Sequence, residues 1–231
     1  MGLLSTTLLL FALIRNKYTH TNAMVTLVNA FHTALSRFKH RKKARRLLEI
    51  GPGLQPLPGF ETLNILRSKG VDYVADIAKG LPFQENTFDL IYASHILEHV
   101  PWYQSQYCFG EFYRVLKQDG CLEIWVPDGV RICKAFVEYE EHGINNIDQD
   151  GWYKFNPEKD PCKWAAGRLY TYGDGCGSTG HPNWHRALFS FRYLKNLFSS
   201  AGFVDIERMD SSCVRGEHHG WINLGVKGRK R

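Results

Sequence analysis

The run Glu49-Ile50-Gly51-Pro52-Gly53 sets a carboxylate and two glycines at the end of a short apolar stretch, Arg46–Ile50. Glycine lets backbone approach a ligand where a side chain would collide. A carboxylate beside it suits an amine, because charge-assisted hydrogen bonds are the stronger kind. Gln55 and Pro56 follow, so the fuller G-x-G-x-x-G pattern is not met, and G-x-x-x-x-G-K-S/T does not occur. A dinucleotide pyrophosphate and a nucleoside triphosphate are both disfavoured. Further along, Asp76 closes Val74-Ala75-Asp76-Ile77, and Ser94-His95 follow the apolar run Phe88–Ala93. His95 and His185 are the two candidate general bases, since an imidazole titrates near neutral pH.

Elements that would position these residues are readable from pattern. Short apolar runs at Arg46–Ile50, Thr62–Ile65, Asp72–Ala75, Phe88–Ala93, Leu122–Val126, Phe203–Arg208 and Trp221–Val226 read as strands. Helical stretches intervene at about 103–117, 128–142 and 190–201, the last with Ser190 as N-cap and Gly202 as its stop. Alternation of this kind predicts an α/β fold with a mainly parallel seven-stranded sheet, helices on both faces and a C-terminal antiparallel edge strand. In such a sheet a ligand binds beyond the C-terminal strand ends, where Glu49, Gly51, Gly53, Asn64, Asp76, Ile77, Ser94 and His95 all fall. Only Leu54–Phe60 separate the first turn from the second strand, fewer residues than a helical crossover needs, so the first helix is expected to be absent or reduced.

Residues 1–45 are expected to form an N-terminal helical segment and 46–231 the main domain. Residues 22–44 space Met24, Leu27, Val28, Phe31 and Leu35 at helical intervals. Residues 143–185, rich in glycine, histidine and aromatics, break the rhythm and are expected to be a loop-like cap over the site. Trp152, Tyr153, Trp164, Tyr170, Tyr172 and Trp184 could wall a pocket there or pack the cap itself.

The series Asp76-Ile77, Leu81-Pro82-Phe83, Asn86-Thr87-Phe88-Asp89-Leu90-Ile91, Ser94-His95-Ile96-Leu97-Glu98-His99-Val100 and Phe112-Tyr113-Arg114-Val115-Leu116-Lys117, after the glycine turn and before Val126-Pro127-Asp128, resembles class I S-adenosylmethionine-dependent methyltransferases. Within them it is similar to the small-molecule type of quinone biosynthesis. That resemblance implies a Rossmann-like fold and S-adenosyl-L-methionine as cofactor. Glu49, Gly51 and Gly53 would surround the methionine part, with Asp76 taking the adenine amino group and the Ile77 backbone a ring nitrogen. Ser94 and His95 would border the sulfonium. Relatives end the second strand with an acid for the ribose; here Leu66 stands near that place, leaving Asn64 or Glu61 as substitutes. The methyl acceptor is expected to be a small molecule, a sugar or a lipid-linked compound.

His95-x-x-Glu98-His99 also fits the H-x-x-E-H metalloprotease signature, but it follows a strand rather than lying within one helix. A divalent ion on Glu98, His99 and a later histidine is another reading. Glu98 and His99 fixing a helix start account for the pair without an ion, so no metal is expected.

The formal charge of +6 is concentrated: 37–46 hold seven Lys/Arg and 227–231 four more, and with these set aside 18 basic residues face 23 acidic ones. A mildly acidic body disfavours nucleic acid, whose binding groove should carry the positive charge. An RNA methyltransferase using 37–46, or a methyltransferase-fold partner protein without activity, remain the alternative readings. The six cysteines form no C-x-x-C pair, which points to reduced thiols and a cytoplasmic setting. Leu3–Ile14 is too short for a transmembrane segment of about 20 residues, whereas peripheral membrane contact stays open.

Overall fold

The computed structural model describes residues 24–151, 155–171, 178 and 180–231. Seven strands form one sheet: β1 (Leu47–Ile50), β2 (Glu61–Asn64), β3 (Tyr73–Val74), β4 (Phe88–Ser94), β5 (Leu116–Pro127), β6 (Phe203–Met209) and β7 (Asn223–Lys230). Their spatial order is β3-β2-β1-β4-β5-β7-β6. β1 pairs in parallel with both β2 and β4, and its position marks the point where strand order reverses. β7 is the antiparallel strand, inserted between β5 and β6, so the sheet's edge is β6 rather than β7 itself.

Along each strand, alternate residues face opposite sides. Leu48 and Ile50 of β1, Ile91 and Ala93 of β4, and Leu122, Ile124 and Val126 of β5 share one face and form the main core. Two helices cover that face. α2 (Ser105–Val115) contributes Cys108, Phe109, Phe112 and Val115, and α5 (Phe191–Ser200) contributes Leu194, Leu197 and Phe198, both at helical spacing. Ser190 caps α5 by accepting from Tyr193 N at 3.2 Å. α3 (Gly129–His142) and α4 (Pro161–Leu169) pack together over a second cluster of Ile132, Ala135, Ile147, Trp164, Ala165 and Ile222.

No helix lies between β1 and β2; residues 51–60 are turns and bends. This loop and a second one near Arg215 cover the face that carries Glu49, Tyr92 and Glu123. Leu57 N donates to Glu49 Oε2 at 2.8 Å, and Phe60 meets Tyr92 edge-on with ring centroids 6.4 Å apart. Arg215 donates twice to Glu123, at 2.7 and 2.8 Å.

The helix at 24–40, α1, is inverted relative to an ordinary surface helix. Its polar side docks: Thr33 Oγ1 accepts from Val74 N at 3.0 Å, His32 Nε2 lies 2.8 Å from Val71 O, and His40 Nε2 lies 3.2 Å from Asp72 Oδ1. These bonds satisfy the free edge of β3, which otherwise exposes unpaired backbone groups. The apolar stripe faces outward, with Leu27, Phe31 and Phe38 each 66–70% exposed.

The cap is more ordered than its composition implies, since it holds α4 with Asp160 as N-cap and Pro161 in the first turn. Trp164 is fully buried there and donates to Asp150 at 2.8 Å, while Tyr170 is 62% exposed. Trp184 donates to Ser178 O at 2.8 Å, holding the cap to itself. Trp152, Tyr153 and Tyr172 lie outside the described residues. Among the described residues no helix is long and apolar enough to cross a membrane.

Candidate active site

The C-terminal ends of β1, β2, β3 and β4 open onto a cavity of about 490 Å³, a size suited to a small organic ligand. Gly51 and Pro52 form one wall, Asn64, Ile65 and Leu66 a second, and Asp76, Ile77 and Ala78 a third. His95, Ile96, His99 and Val100 line the fourth, and Gly180, Pro182 and Asn183 of the cap, with Arg186 just after it, close over it. Gly51, Asn64, Asp76, Ile77 and His95 therefore converge as the sequence implied.

Glu49, Gly53, Ser94 and His185 do not line this cavity. Glu49 points to the opposite face because its neighbours Leu48 and Ile50 fill the core. There burial raises its pKa against the opposing effect of the Leu57 N–H. Gly53 has open space where a Cβ would stand and an ordinary φ, so the fold does not demand glycine there. Gly51 is different: φ is +70°, and a Cβ would lie 1.9 Å from Ile96 Cδ1. Ser94 is the last residue of β4, paired with Trp125. Glu61, offered as a ribose ligand, is wholly buried and held by Arg46 at 2.8 and 3.0 Å, at the other end of β2.

Asp76 caps the short helical turn Ile77–Lys79, its Oδ1 accepting from Ala78 N at 3.0 Å. Its Oδ2 lies 3.5 Å from Lys79, whose side chain is 83% exposed and easily displaced by a ligand donor.

Around His95 the site is electrostatically built. Its φ of +55° is a left-handed conformation, uncommon outside glycine and found where surrounding structure imposes it. His95 N donates to Trp125 O at 2.8 Å, Nε2 lies 2.7 Å from Asn223 Oδ1, and Nδ1 lies 3.2 Å from Glu98 Oε1. Burial opposes its charge, and the contacts with Glu98 and Asn223 overcome that, raising its pKa. Glu98 is correspondingly lowered: burial works against the carboxylate, and His95 more than compensates. The His219 ring lies against His95, centroids 3.8 Å apart, and burial followed by the His95 charge lowers its pKa to about 4.

His185 sits behind His99, ring centroids 5.0 Å apart, and burial keeps its pKa low. It arrives there because Arg186 N and Ala187 N both donate to Glu98 O, at 2.6 and 3.2 Å, while Trp102 N donates to Arg186 O. One ligand atom from each of Glu98, His99 and His185 lies within 4.8 Å of the others. Glu98 Oε1 is met only by the ion pair with His95, and Glu98 Oε2 and His99 Nδ1 are buried without a hydrogen-bond partner. Arg186 and His219 were not singled out as site residues from sequence, and His99 entered only as one member of an alternative ion site. The E-H pair was visible, but which histidine would meet it was not.

An open α/β sheet with its cavity at the switch point, a glycine turn after β1 and an acid after β3 has its pocket where doubly wound folds hold their ligands. Comparison with known proteins narrows this. Residues 12–124 match the family model described as a methyltransferase domain. The chain is 29% identical over 142 residues to the ubiquinone/menaquinone biosynthesis C-methyltransferase UbiE of Desulfotalea psychrophila, covering 60% of this chain and 48% of that protein. It thus spans about half the length of the curated relative it matches. Among solved structures, an S-adenosylmethionine-dependent methyltransferase of Mesorhizobium loti aligns at 15% identity and TM-score 0.49, covering 80% of this chain and 90% of that one. Another, from Thermotoga maritima, has 20% identity and TM-score 0.46, covering 93% and 97%. The match to the methyltransferase-domain model takes in just under half of the chain and includes β1 to β4 and most of β5.

Proposed function

We propose that this protein transfers a methyl group from S-adenosylmethionine to a small-molecule acceptor, with a sugar or lipid-linked compound as the leading classes. The observation that carries the reading is the convergence of Gly51, Asn64, Asp76, Ile77 and His95 around one cavity at four adjacent strand ends. Asp76 accepts from the adenine amino group through Oδ2, the Ile77 backbone meets the ring, and Ile65, Leu66 and Ala78 supply apolar surface around it. Asn64 takes the ribose hydroxyls in place of an acid, which gives a neutral and therefore weaker hydrogen bond. Gly51 leaves room for the methionine part, and Glu49, Gly53 and Ser94 support that turn and the end of β4 from behind.

The bound cofactor supplies a methyl group on a cationic sulfonium, which reacts by in-line displacement. What the protein contributes is placement and a route for the acceptor's proton. His95 has acceptors at both nitrogens, and Glu98 and Asn223 raise its pKa against the opposing effect of burial, favouring the charged imidazolium at that wall. His185, offered from the sequence as a second base, lies behind His99 and off the cavity, so it does not meet the acceptor directly.

Calorimetry with S-adenosylmethionine and its demethylated product tests the reading. Saturable binding is expected, weakened at least tenfold by Asp76→Ala and abolished by Gly51→Arg. Binding unchanged in both variants rejects the site, and cofactor binding without turnover on any acceptor leaves the inactive-partner reading standing. RNA binding that falls steeply with salt would instead favour the nucleic-acid alternative. The lipid-linked class draws support from α1, whose exposed Leu27, Phe31 and Phe38 are followed by the basic residues of 37–46.

A further inference from the structure

We infer that Glu98, His99 and His185 form a binding site for a first-row divalent transition cation, with zinc as the best fit. Their ligand atoms already lie within 4.8 Å of one another, and tetrahedral ligation at zinc bond lengths needs about 3.4 Å between ligand atoms. Small side-chain rotations close that gap. Two histidines and one carboxylate make the donor set of a three-ligand zinc site that keeps a position open. Imidazole nitrogens disfavour magnesium and calcium, which take oxygen ligands.

Three independent features point to an ion rather than to a packed polar cluster. Glu98 Oε2 and His99 Nδ1 are buried without a hydrogen-bond partner, and a buried polar atom left so is costly. His185 Nδ1 lies 3.2 Å from Arg168 O, so its N–H faces that carbonyl and Nε2 is left as the bare nitrogen. A carbonyl that fixes the tautomer of a histidine in this way is the usual outer partner of a metal ligand. A cavity of about 10 Å³ borders Glu98 and His185, while His99 reaches the pair from the side of the main cavity.

The local charges fit as well. Arg168, which lines that small cavity, is paired with Asp150 at 2.6 Å, and His95 faces Glu98 from the side. The backbone bonds from Arg186 N and Ala187 N to Glu98 O hold the two ligand-bearing segments together before any ion arrives. His99 also lines the main cavity, so an ion here is within reach of an acceptor oxygen. That use in catalysis rests on the methyltransferase reading; the site does not.

Untagged full-length protein, stripped with a chelator, is dialysed against Zn²⁺, Co²⁺ or Mg²⁺ and its metal content measured. One equivalent of Zn²⁺ or Co²⁺ per chain is expected, with visible d–d bands for Co²⁺ and no retained Mg²⁺. His185→Gln and His99→Gln should each weaken Zn²⁺ binding at least tenfold and bleach the Co²⁺ bands, whereas His142→Gln, on the exposed end of α3, should change neither. Circular dichroism of the stripped variants checks that they remain folded. Less than half an equivalent bound, or binding that survives both histidine variants, overturns the site. Cofactor calorimetry on the same samples keeps the two proposals apart: lost S-adenosylmethionine binding with intact zinc binding sinks the methyltransferase reading alone.

Discussion

Gly51 is constrained twice, by a φ of +70° and by Ile96 standing where a Cβ would go. Gly51→Ala should therefore lose about 1–3 kcal/mol of stability, from the left-handed backbone and the overpacked contact together. Removing the obstacle in a Gly51→Ala, Ile96→Ala double variant should recover part of that loss, measured from urea midpoints; full additivity of the two losses would refute the contact. His219 gives a pH-dependent counterpart. Its pKa is near 6.5 unfolded and about 4 folded, so between these values the unfolded chain binds more protons and stability drops as pH falls. His95 acts in the other direction, since its raised pKa favours folding below the unfolded value and that gain fades as pH rises through the folded one. The wild type should lose stability between pH 6.5 and pH 4 more steeply than His219→Gln, and equal slopes in denaturant titrations would dismiss the stacked His219 as the cause.

α1 shows how tertiary context can reverse a helix's expected orientation. Its apolar positions fall on a stripe about 100° wide, which in most surface helices faces the core. Here the neighbouring element is the open edge of β3, and polar groups are what that edge needs. Thr33→Val should cost about 1–2 kcal/mol by orphaning Val74 N–H, while Phe31→Glu should leave the urea midpoint unchanged within about 0.5 kcal/mol. The same Phe31→Glu change should reduce sedimentation with anionic phospholipid vesicles if the stripe meets a lipid surface; unchanged sedimentation removes that support for a lipid-linked acceptor. α3 depends on local chemistry instead. Asp128 accepts from Val130 N and Arg131 N, so Asp128→Ala should cost about 1 kcal/mol by thermal unfolding.

The molecule as a whole covers one face of its sheet with helices and part of the other with loops. Because the crossover from β1 to β2 is too short for a helix, residues 51–60 and the Arg215 loop lie over Glu49, Tyr92 and Glu123. Arg215 fastens the second loop through Glu123, whose side chain is 8% exposed. Arg215→Ala leaves that carboxylate without its guanidinium and frees the chain leading to His219. A stability loss of about 1–3 kcal/mol is expected, with faster amide exchange across 210–220; exchange unchanged there would show that the loop is held by other contacts.

Strand and helix periods, the glycine turn and the acid after β3 are local properties, so the sheet, its C-terminal-end cavity and Gly51, Asn64, Asp76, Ile77 and His95 were legible in the chain. Side-chain direction is not local in the same way. Glu49 alternates away from the cavity because Leu48 and Ile50 take the core, and Glu61 is consumed by Arg46 at the far end of its strand. Only the fold could decide that His185, 86 positions on, would meet Glu98 and His99, because that encounter depends on a backbone strap between distant segments. The inverted α1 has the same origin, since burial follows what the neighbouring element leaves unsatisfied as well as what the helix itself would prefer to hide.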